Sequence, residues 1–258
     1  MIVAANIHVR LGGRMILHGV SFDARPGHLT AIVGPNGSGK TTLMRAITAE
    51  TPFDGHVAMN GTDIASAKPW QLAAIRAVLP QATPLAFPFT VIEVVRLGLG
   101  SGISAARGHL AQQALARVGL QGYEGRMYQD LSGGEQQRAQ LARVLAQVWE
   151  PVLDGQPRWL LLDEPVSSLD IGHQLIVMQI ARDFADAGGG VVAVMHDLNL
   201  TAMFADRVAL LAEGRMVAQG TPAGVLTDAN LSCAYRCRVR VNTPPDAGTW
   251  LVPHAASV

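Results

Sequence analysis

The stretch GPNGSGKTT, residues 34–42, fits the phosphate-binding loop pattern G-x-x-x-x-G-K-[ST]. An apolar run typical of a buried strand, LTAIV, precedes it, and KTTLMRAITAE, which has the apolar spacing of a helix, follows it. Glycines in such a loop let backbone N–H groups turn toward phosphate oxygens, and the following helix directs the positive end of its dipole at the same anion. The stretch therefore predicts a P-loop core that binds a nucleoside triphosphate.

The residues of this loop have separate expected roles. Lys40 neutralises the β and γ phosphates, and the hydroxyl of Thr41 binds Mg²⁺, a cation that takes few ligands from the protein. A glycine-rich turn that matched the pattern by chance would lack the flanking strand and helix, so we favour the functional interpretation. The predicted nucleotide-binding residues are Gly34, Pro35, Asn36, Gly37, Ser38, Gly39, Lys40, Thr41 and Thr42.

Two carboxylates follow another apolar run, in LLLDEP at 160–165. Ligands of open α/β sheets bind at the carboxyl ends of the strands, which is where Asp163 and Glu164 stand. We expect Asp163 to hold Mg²⁺ through its water shell, and Glu164 to orient the attacking water or accept its proton. In isolation an Asp-Glu pair would be a solvated turn, but here it follows a buried strand in a chain with a P-loop.

A second glycine-rich stretch, LSGGEQQR at 131–138, begins a predicted helix through the capping box of Ser132 and Glu135. The helix does not need the intervening glycines, because each costs about 0.5 to 1 kcal/mol relative to alanine. Bare N–H groups beside a serine hydroxyl form an anion site. The first loop already encloses its own phosphates, so we expect this site to contact the γ-phosphate held by another copy of the chain. Its residues are Ser132, Gly133, Gly134 and Glu135.

Composition excludes several classes of protein. The 258 residues are 49% apolar and 16% charged, which suits one large globular domain with a sizeable core. The 20 Lys and Arg balance the 20 Asp and Glu, so no positive excess indicates a nucleic-acid partner. No apolar run approaches the ~18 residues of a membrane span, and the N-terminus has no export signal, so we expect a cytosolic chain with Cys233 and Cys237 reduced.

The order of patterns predicts an α/β fold. Apolar strands at 158–165 and 189–197 flank a helical stretch at 170–187, which indicates a parallel sheet covered by helices. Gly12-Gly13 and Asn60-Gly61 mark hairpins of an N-terminal antiparallel β subdomain, and 207–220 reads as another hairpin. Residues 82–147 are rich in helix signal after a proline-marked entry, and we interpret them as an inserted helical subdomain within a single domain, 1–258.

Six motifs, GPNGSGKTT, LPQ, LSGGEQQR, LLLDEP, SSLD and VMHD, resemble in order and spacing the nucleotide-binding subunits of ATP-binding cassette (ABC) transporters. The resemblance covers almost the entire chain. It implies a P-loop NTPase that hydrolyses ATP with Mg²⁺ as a head-to-tail homodimer, in which two ATP molecules lie between the P-loop of one subunit and the LSGGEQQR motif of the other. A structural binder that does not hydrolyse ATP is disfavoured by the presence of both Glu164 and His196.

The resemblance also implies roles for residues outside the two glycine loops. Gln81 reaches Mg²⁺ and the attacking water, Asp170 lies in a loop that crosses to the partner, and His196 contacts the γ-phosphate. His173 is interpreted as a helix-surface residue. Members of the family commonly stack an aromatic ring on adenine where this chain has Leu11. Since base stacking contributes ~1 to 3 kcal/mol, we expect adenine to be held less tightly or less selectively here.

More narrowly, LPQATPLAFPFTVIEVVRLG and the Pro- and Gly-containing insertion at 148–158 resemble the import subunits for haemin, within a group that also imports iron chelates and cobalamin. This implies a transmembrane permease, indirectly a substrate-binding protein, and a position on the cytoplasmic face of the inner membrane, with no nucleic acid and no direct contact with cargo. We expect the segment after Gln81 to transmit motion, with Leu85 and Phe87 receiving a permease helix. The alternatives are an importer of siderophore-iron or cobalamin and a soluble ABC-type ATPase without a permease.

Overall fold

A six-stranded sheet and a four-stranded sheet share one apolar layer. This computed structural model describes residues 1–81, 87–99, 108–249 and 251. The strands are β1 (Ile2–Leu11), β2 (Arg14–Ala24), β3 (Leu29–Val33), β4 (Asp54–Met59), β5 (Thr62–Asp63), β6 (Arg76–Leu79), β7 (Val152–Leu153), β8 (Gln156–Pro157), β9 (Trp159–Asp163), β10 (Gly190–Val194), β11 (Arg207–Ala212) and β12 (Arg215–Gly220). The helices are α1 (Lys40–Ile47), α2 (Pro69–Ile75), α3 (Val91–Leu97), α4 (His109–Arg117), α5 (Gly133–Gln147), α6 (Ile171–Asp186), α7 (Leu198–Phe204), α8 (Pro222–Val225) and α9 (Asp228–Tyr235).

The larger sheet has the order β12-β11-β3-β10-β9-β6. Its strands are parallel except for β12, which pairs antiparallel with β11 at one edge. Every residue of β3, β9 and β10 is buried, as expected for strands covered on both faces. The predicted α/β fold is confirmed, and the carboxyl ends of β3, β9 and β10 lie at one edge of the sheet.

The smaller sheet is antiparallel, with the order β2-β1-β4-β5. The predicted hairpins turn at Gly12-Gly13 and at Asn60-Gly61, where all four residues have positive φ. One face of this sheet packs on α1 and on the larger sheet, and it places Leu17 of β2 against the phosphate-binding loop.

Helices α3, α4 and α5 pack on one another, and α5 packs on β6. Their contact layer includes Val91, Val94, Leu115 and Leu141, all buried. Gly98 permits a close approach of α3 and α5, since a Cβ there would lie 2.0 Å from the carbonyl oxygen of Arg143. These helices fall within the stretch 82–147 that the sequence marks as rich in helix.

Two further expectations concern the membrane. Leu85 lies outside the described residues, whereas the side chain of Phe87 is 72% exposed. Within the described part of the chain, no helix has the length and apolar character needed to cross a bilayer.

Several elements were not predicted. Helix α2 and strand β6 precede Gln81, and helices α7 and α9 lie after β10. The insertion at 148–158, for which no secondary structure was predicted, forms a small hairpin of β7 and β8. Its turn is Asp154-Gly155, with φ of 50° and 73°. An Asp-Gly pair is a hairpin signal, but strands of two residues are too short to show an alternating apolar pattern.

Asn60 joins the two sheets through its side chain. Its Oδ1 accepts a hydrogen bond of 2.9 Å from the indole N–H of Trp159, and its Nδ2 donates to the carbonyl oxygen of Pro157 at 2.7 Å. The Met1 ammonium also donates to Oδ1 at 3.2 Å. Because Trp159 is completely buried, its N–H has no access to water if this acceptor is removed.

We expect Asn60→Ala to lower the free energy of unfolding by about 1 to 3 kcal/mol, because the buried Trp159 N–H loses its acceptor. Chemical denaturation checks this. Asn242→Ala is the matched control, since Asn242 also has a positive φ, 56°, but is exposed. If both variants lose the same stability, the effect belongs to the backbone conformation and the Asn60 side chain contributes nothing.

Candidate functional site

The phosphate-binding loop connects β3 to α1 and depends on three glycines. Gly34, Gly37 and Gly39 have φ of 148°, 76° and 99°, a region that disfavours other residues. Packing adds a second requirement, because a Cβ at Gly34 would lie 2.0 Å from the carbonyl oxygen of Leu211, and one at Gly39 would lie 2.7 Å from Leu17 Cδ2. The loop is therefore fixed both by its own conformation and by β11 and β2.

Lys40, the first residue of α1, is 5% exposed and folds back over the loop. Its Nζ donates to the carbonyl oxygens of Gly34 and Pro35 at 2.9 and 3.1 Å. Burial lowers the pKa of Lys40, and the nearby Glu164 and Asp163 raise it in part. The ammonium group thus lies at the loop, close to both predicted carboxylates.

Asp163 ends β9 beside Thr41, whose Oγ1 donates to Asp163 Oδ1 at 3.2 Å. Burial raises the pKa of the Asp163 carboxyl, and the Thr41 hydrogen bond lowers it in part. The structure brings the two together as a hydroxyl and a carboxylate, which are the hard oxygen ligands that Mg²⁺ takes. Among the described residues no group of three or more His, Cys, Asp or Glu side chains could hold a metal by itself. A hydroxyl and a carboxylate are a donor set that fits Mg²⁺, a cation that keeps several waters.

Glu164 contacts both of the other predicted catalytic residues. Gln81 Nε2 donates to Glu164 Oε2 at 3.0 Å, and His196 Nε2 lies 2.6 Å from Oε1. The two partners come from the ends of β6 and β10, 83 residues before and 32 residues after Glu164. The backbone of Glu164 is left-handed, with φ of 54°, a conformation that costs about 1 to 3 kcal/mol in a residue other than glycine. Strain of this kind is typical of functional sites.

A cavity of about 270 Å³ opens over the loop. The residues that line it are Ile16, Asn36, Gly37, Ser38, Gly39, Lys40, Thr41, Thr42, Glu164 and His196. Anion-binding backbone, one ammonium group and one carboxylate thus face the same space. This arrangement can hold a polyphosphate and orient a water molecule against it.

The LSGGEQQR stretch begins α5 with the predicted capping box. Ser132 Oγ accepts from the Glu135 N–H at 3.3 Å, and Glu135 Oε2 accepts from the Ser132 N–H and hydroxyl, both at 2.8 Å. These bonds from Ser132 lower the pKa of Glu135. None of residues 132–135 lines the cavity over the phosphate-binding loop, so within the described chain the two glycine-rich stretches are separate.

The two glycines of this stretch differ in what surrounds them. A Cβ at Gly134 would lie 3.2 Å from Leu169 Cδ2 and 3.3 Å from the carbonyl oxygen of Ser168, so close packing favours glycine there. A Cβ at Gly133 would meet no atom within 4 Å. Contacts among the described residues therefore do not account for Gly133.

Asp170 caps the N-terminus of α6, and its partner is His173. The carboxylate accepts from the His173 backbone N–H at 2.9 Å and lies 2.8 Å from its ring Nδ1. These two bonds, in that order, lower the pKa of Asp170. His173 was interpreted as a helix-surface residue, and its side chain is 37% exposed. The N-cap spacing of three residues was the signal for the bond from its backbone N–H to Asp170.

Three residues that contact the backbone of the site, at Glu164 or Gly34, were not predicted from the sequence. Gln137 Nε2 and Ser167 Oγ donate to the carbonyl oxygen of Glu164 at 2.9 and 3.2 Å. Tyr235 of α9 contacts the loop: burial raises the pKa of its phenol, and a hydrogen bond from the backbone of Gly34 lowers it in part. Gln137 lies inside a motif already singled out, whereas nothing near Tyr235 in sequence points to a loop two hundred residues earlier.

Two other sequence observations have a place in the structure. Leu11 ends β1, paired with Arg14 across the hairpin, and is 41% exposed. Cys233 and Cys237, within and just beyond α9, are free and exposed. Leu11 is not among the residues that line the cavity over the loop, and the aliphatic residue that does line it is Ile16.

Comparison with known proteins agrees with this geometry. The ABC transporter family matches residues 17–167. Hemin import ATP-binding protein HmuV of Jannaschia sp. (strain CCS1) is 67% identical over 257 residues, 99% of this chain and 95% of the relative. The protein of the same name from Roseobacter denitrificans (strain ATCC 33942 / OCh 114) is 63% identical over 255 residues, 98% of each chain.

Solved structures give the same fold. The ATP-binding cassette MJ0796, in a dimeric post-hydrolysis state bound to ADP and Pi, matches with a TM-score of 0.74 and 25% identity over 86% of this chain and 99% of that one. An ATP-binding subunit of an ABC transporter matches with a TM-score of 0.76 and 20% identity over 92% and 94%. The fold and the loop define a P-loop ATPase. The chain belongs to the ABC transporter family, as an ATP-hydrolysing subunit.

We expect Glu164→Gln to lower the turnover number for ATP by about 10² to 10⁴-fold while ATP affinity stays near that of the unchanged chain. The phosphate-binding loop is intact in the variant, and only the carboxylate that orients water is lost. Phosphate release and nucleotide titration measure the two quantities. Glu124→Gln makes the same chemical change at a side chain that, among the described residues, accepts a hydrogen bond only from the Gly122 N–H, and it should be silent. Near-normal turnover of Glu164→Gln would remove Glu164 from the catalytic role.

Proposed function

We propose that the chain drives a membrane importer of haemin, with ATP hydrolysis as its energy source. The observation that carries this proposal is the high identity, over almost the whole chain, to proteins named for hemin import. The second candidate is an importer of siderophore-iron or cobalamin, because the narrower sequence resemblance includes that group. A soluble ATPase without a permease is the more distant alternative.

The site supports the following division of roles. The backbone N–H groups of residues 34–42 and the ammonium of Lys40 hold the phosphates of ATP. Thr41 and Asp163 would hold Mg²⁺ as direct ligand and through water, with Gln81 as a further ligand. Bound Mg²⁺ supplies neutralising charge at the β and γ phosphates.

Glu164 is the group proposed to act on water. Its carboxylate orients the attacking water and accepts its proton, while Gln81 and His196 hold the two carboxylate oxygens from either side. His196 is also placed to contact the γ-phosphate, since it lines the cavity over the loop together with Lys40. The proton, the water and the phosphate would thus be controlled from the ends of three neighbouring strands.

A homodimer completes this site. The proposed arrangement is head to tail, with Ser132, Gly133 and Gly134 of one subunit on the γ-phosphate held by the other. The open space beside Gly133 supports it, because no atom of residues 1–81, 87–99 and 108–249 packs closely enough there to require a glycine. Glu135 fixes the Ser132 hydroxyl and N–H, and Asp170 would lie in the segment that crosses to the partner.

Further partners follow from the proposed import function. They are the transmembrane permease and, indirectly, a substrate-binding protein, with the chain peripheral to the cytoplasmic face of the inner membrane. The inserted helical subdomain, 82–147, would pass motion from Gln81 to the permease, with the exposed ring of Phe87 at the contact. Equal numbers of basic and acidic residues give no support to a nucleic-acid partner, and no direct contact with cargo is expected.

The dimer is tested in the Glu164→Gln background, where bound ATP persists. We expect ATP to convert the chain from monomer to dimer in light scattering, and ADP to leave it monomeric. Gly133→Asp should abolish the dimer, because it sets a carboxylate against the partner's γ-phosphate. The same change should leave the melting temperature of the monomer unchanged or higher, since an acidic residue in the first turn suits the helix dipole.

Gly125→Asp is the matched control, because Gly125 also has open space around it and lies outside the helix start. It adds the same charge and should leave the ATP-dependent dimer intact. A monomer mass that does not respond to ATP would contradict the proposed contact between subunits, and so would a dimer that survives Gly133→Asp.

The cargo is tested by assembling the chain with its permease and substrate-binding protein in vesicles and measuring uptake. Haemin should accumulate with ATP and should fail to accumulate with the Glu164→Gln subunit. A siderophore-iron complex and cobalamin, offered separately at the same concentration, should not accumulate. Uptake of either of these without haemin would select the second candidate, and copurification of an active chain without any permease would select the third.

A further inference from the structure

Helix α5 contacts Glu164 of its own chain through one side chain. Gln137 Nε2 donates to the Glu164 carbonyl oxygen at 2.9 Å. The other donors to this oxygen, the hydroxyl and N–H of Ser167, belong to the loop that follows Glu164 itself. Gln137 therefore links the turn at Glu164 to a separate element of the fold.

The carbonyl oxygen matters because the backbone at Glu164 is left-handed. In that conformation the orientation of the adjoining peptide groups decides where the side chain points. On the amino side the Glu164 N–H donates to the Val194 carbonyl oxygen at 3.2 Å, which ties it to β10. On the carbonyl side Gln137 supplies the shorter of the two side-chain bonds. A shift of α5 would thus change the direction of a carboxylate that lies between Gln81 and His196.

The helix start is itself anchored in a way that transmits such a shift. The capping box at Ser132 lies five residues before Gln137, about 7 Å along the helix axis. Between them, Gln136 Nε2 donates to the carbonyl oxygens of Tyr128 and Leu131, which ties the first turn to the preceding segment. A cleft of about 410 Å³, lined by Gly133, Gln137 and Ser167 among others, lies between this turn, the end of β6 and the loop after β9.

We infer that Gln137 is a positioning residue through which the start of α5 sets the orientation of Glu164 in the same chain. This rests on the proposed dimer in one respect. If residues 132–134 contact the ATP of the partner, then Gln137 ties hydrolysis at a chain's own site to occupation of the other site. Such coupling is reciprocal, because each chain contributes the same helix to its partner.

The test replaces the amide without changing the length of the side chain. Gln137→Met should lower the turnover number for ATP about ten- to hundredfold, the scale of a small misplacement of a reacting group, and leave KM for ATP unchanged. Gln137→Glu places a carboxylate against the carbonyl oxygen, and its turnover number should be lower still. Gln147→Met is the matched control on the same helix, because the Gln147 amide likewise donates to backbone carbonyl oxygens, those of Ala73 and Arg76. This variant should keep the full turnover number.

Two further measurements separate positioning from damage to the fold. The double variant Gln137→Met, Glu164→Gln should dimerise at the same ATP concentration as Glu164→Gln alone, since the contact residues 132–134 are unchanged. Combining Gln137→Met with Ser167→Ala should reduce turnover by more than the product of the single effects, because both donate to one oxygen. Loss of dimerisation together with turnover would show that Gln137 only supports α5, and would overturn the inference.

Failure of this inference is distinct from failure of the proposed function. If the unchanged chain neither hydrolyses ATP nor dimerises in the Glu164→Gln background, the proposed function is wrong. If it does both and Gln137→Met turns over at the normal rate, then only the role of Gln137 is wrong.

Discussion

The parallel pairing of β10 between β3 and β9 is the interaction on which the site depends. Val194 is in register with Ile32 on one side and with Asp163 on the other, so the three strands end at one level. The phosphate-binding loop follows β3, the carboxylates end β9, and His196 follows β10. Burial of these strands on both faces fixes their spacing and brings the loop, the carboxylates and His196 to one edge, where Gln137 and Ser167 then hold the backbone of Glu164.

Features of the site and fold could be predicted from local sequence wherever the residues that form them are close together in the chain. The loop at 34–42, the acids at 163 and 164, the capping box at 132 and the two hairpin turns of the smaller sheet are features of this kind. That Gln81 belongs to the site was predicted only through the family resemblance, since periodicity and spacing relate nothing across the 83 residues that separate it from Glu164. Gln137 and Tyr235 were missed because their partners are backbone groups, which leave no mark on the sequence around the side chain that binds them.

The missed secondary structure has a related cause. Strand β6 has four residues, and its pairing with β9 rather than its own pattern makes it a strand. The hairpin at 148–158 is held by its turn and by the bond from Asn60 to Pro157. Short elements of this type acquire their conformation from the surface they lie on, so tertiary contacts and not local propensity decide them. Strands β9 and β10, which are buried at every residue, are decided by their own apolar composition.

The C-terminal helix offers a practical consequence. Tyr235 touches the backbone of the first glycine of the phosphate-binding loop, and the chain has two cysteines, Cys233 and Cys237, one on each side of that tyrosine. Both thiols are free and exposed. A fluorophore attached to either one would sit a few residues from a direct contact with the nucleotide site, without any engineered labelling position. The two natural thiols of this ATPase are therefore attachment points for a fluorescent reporter of its nucleotide cycle.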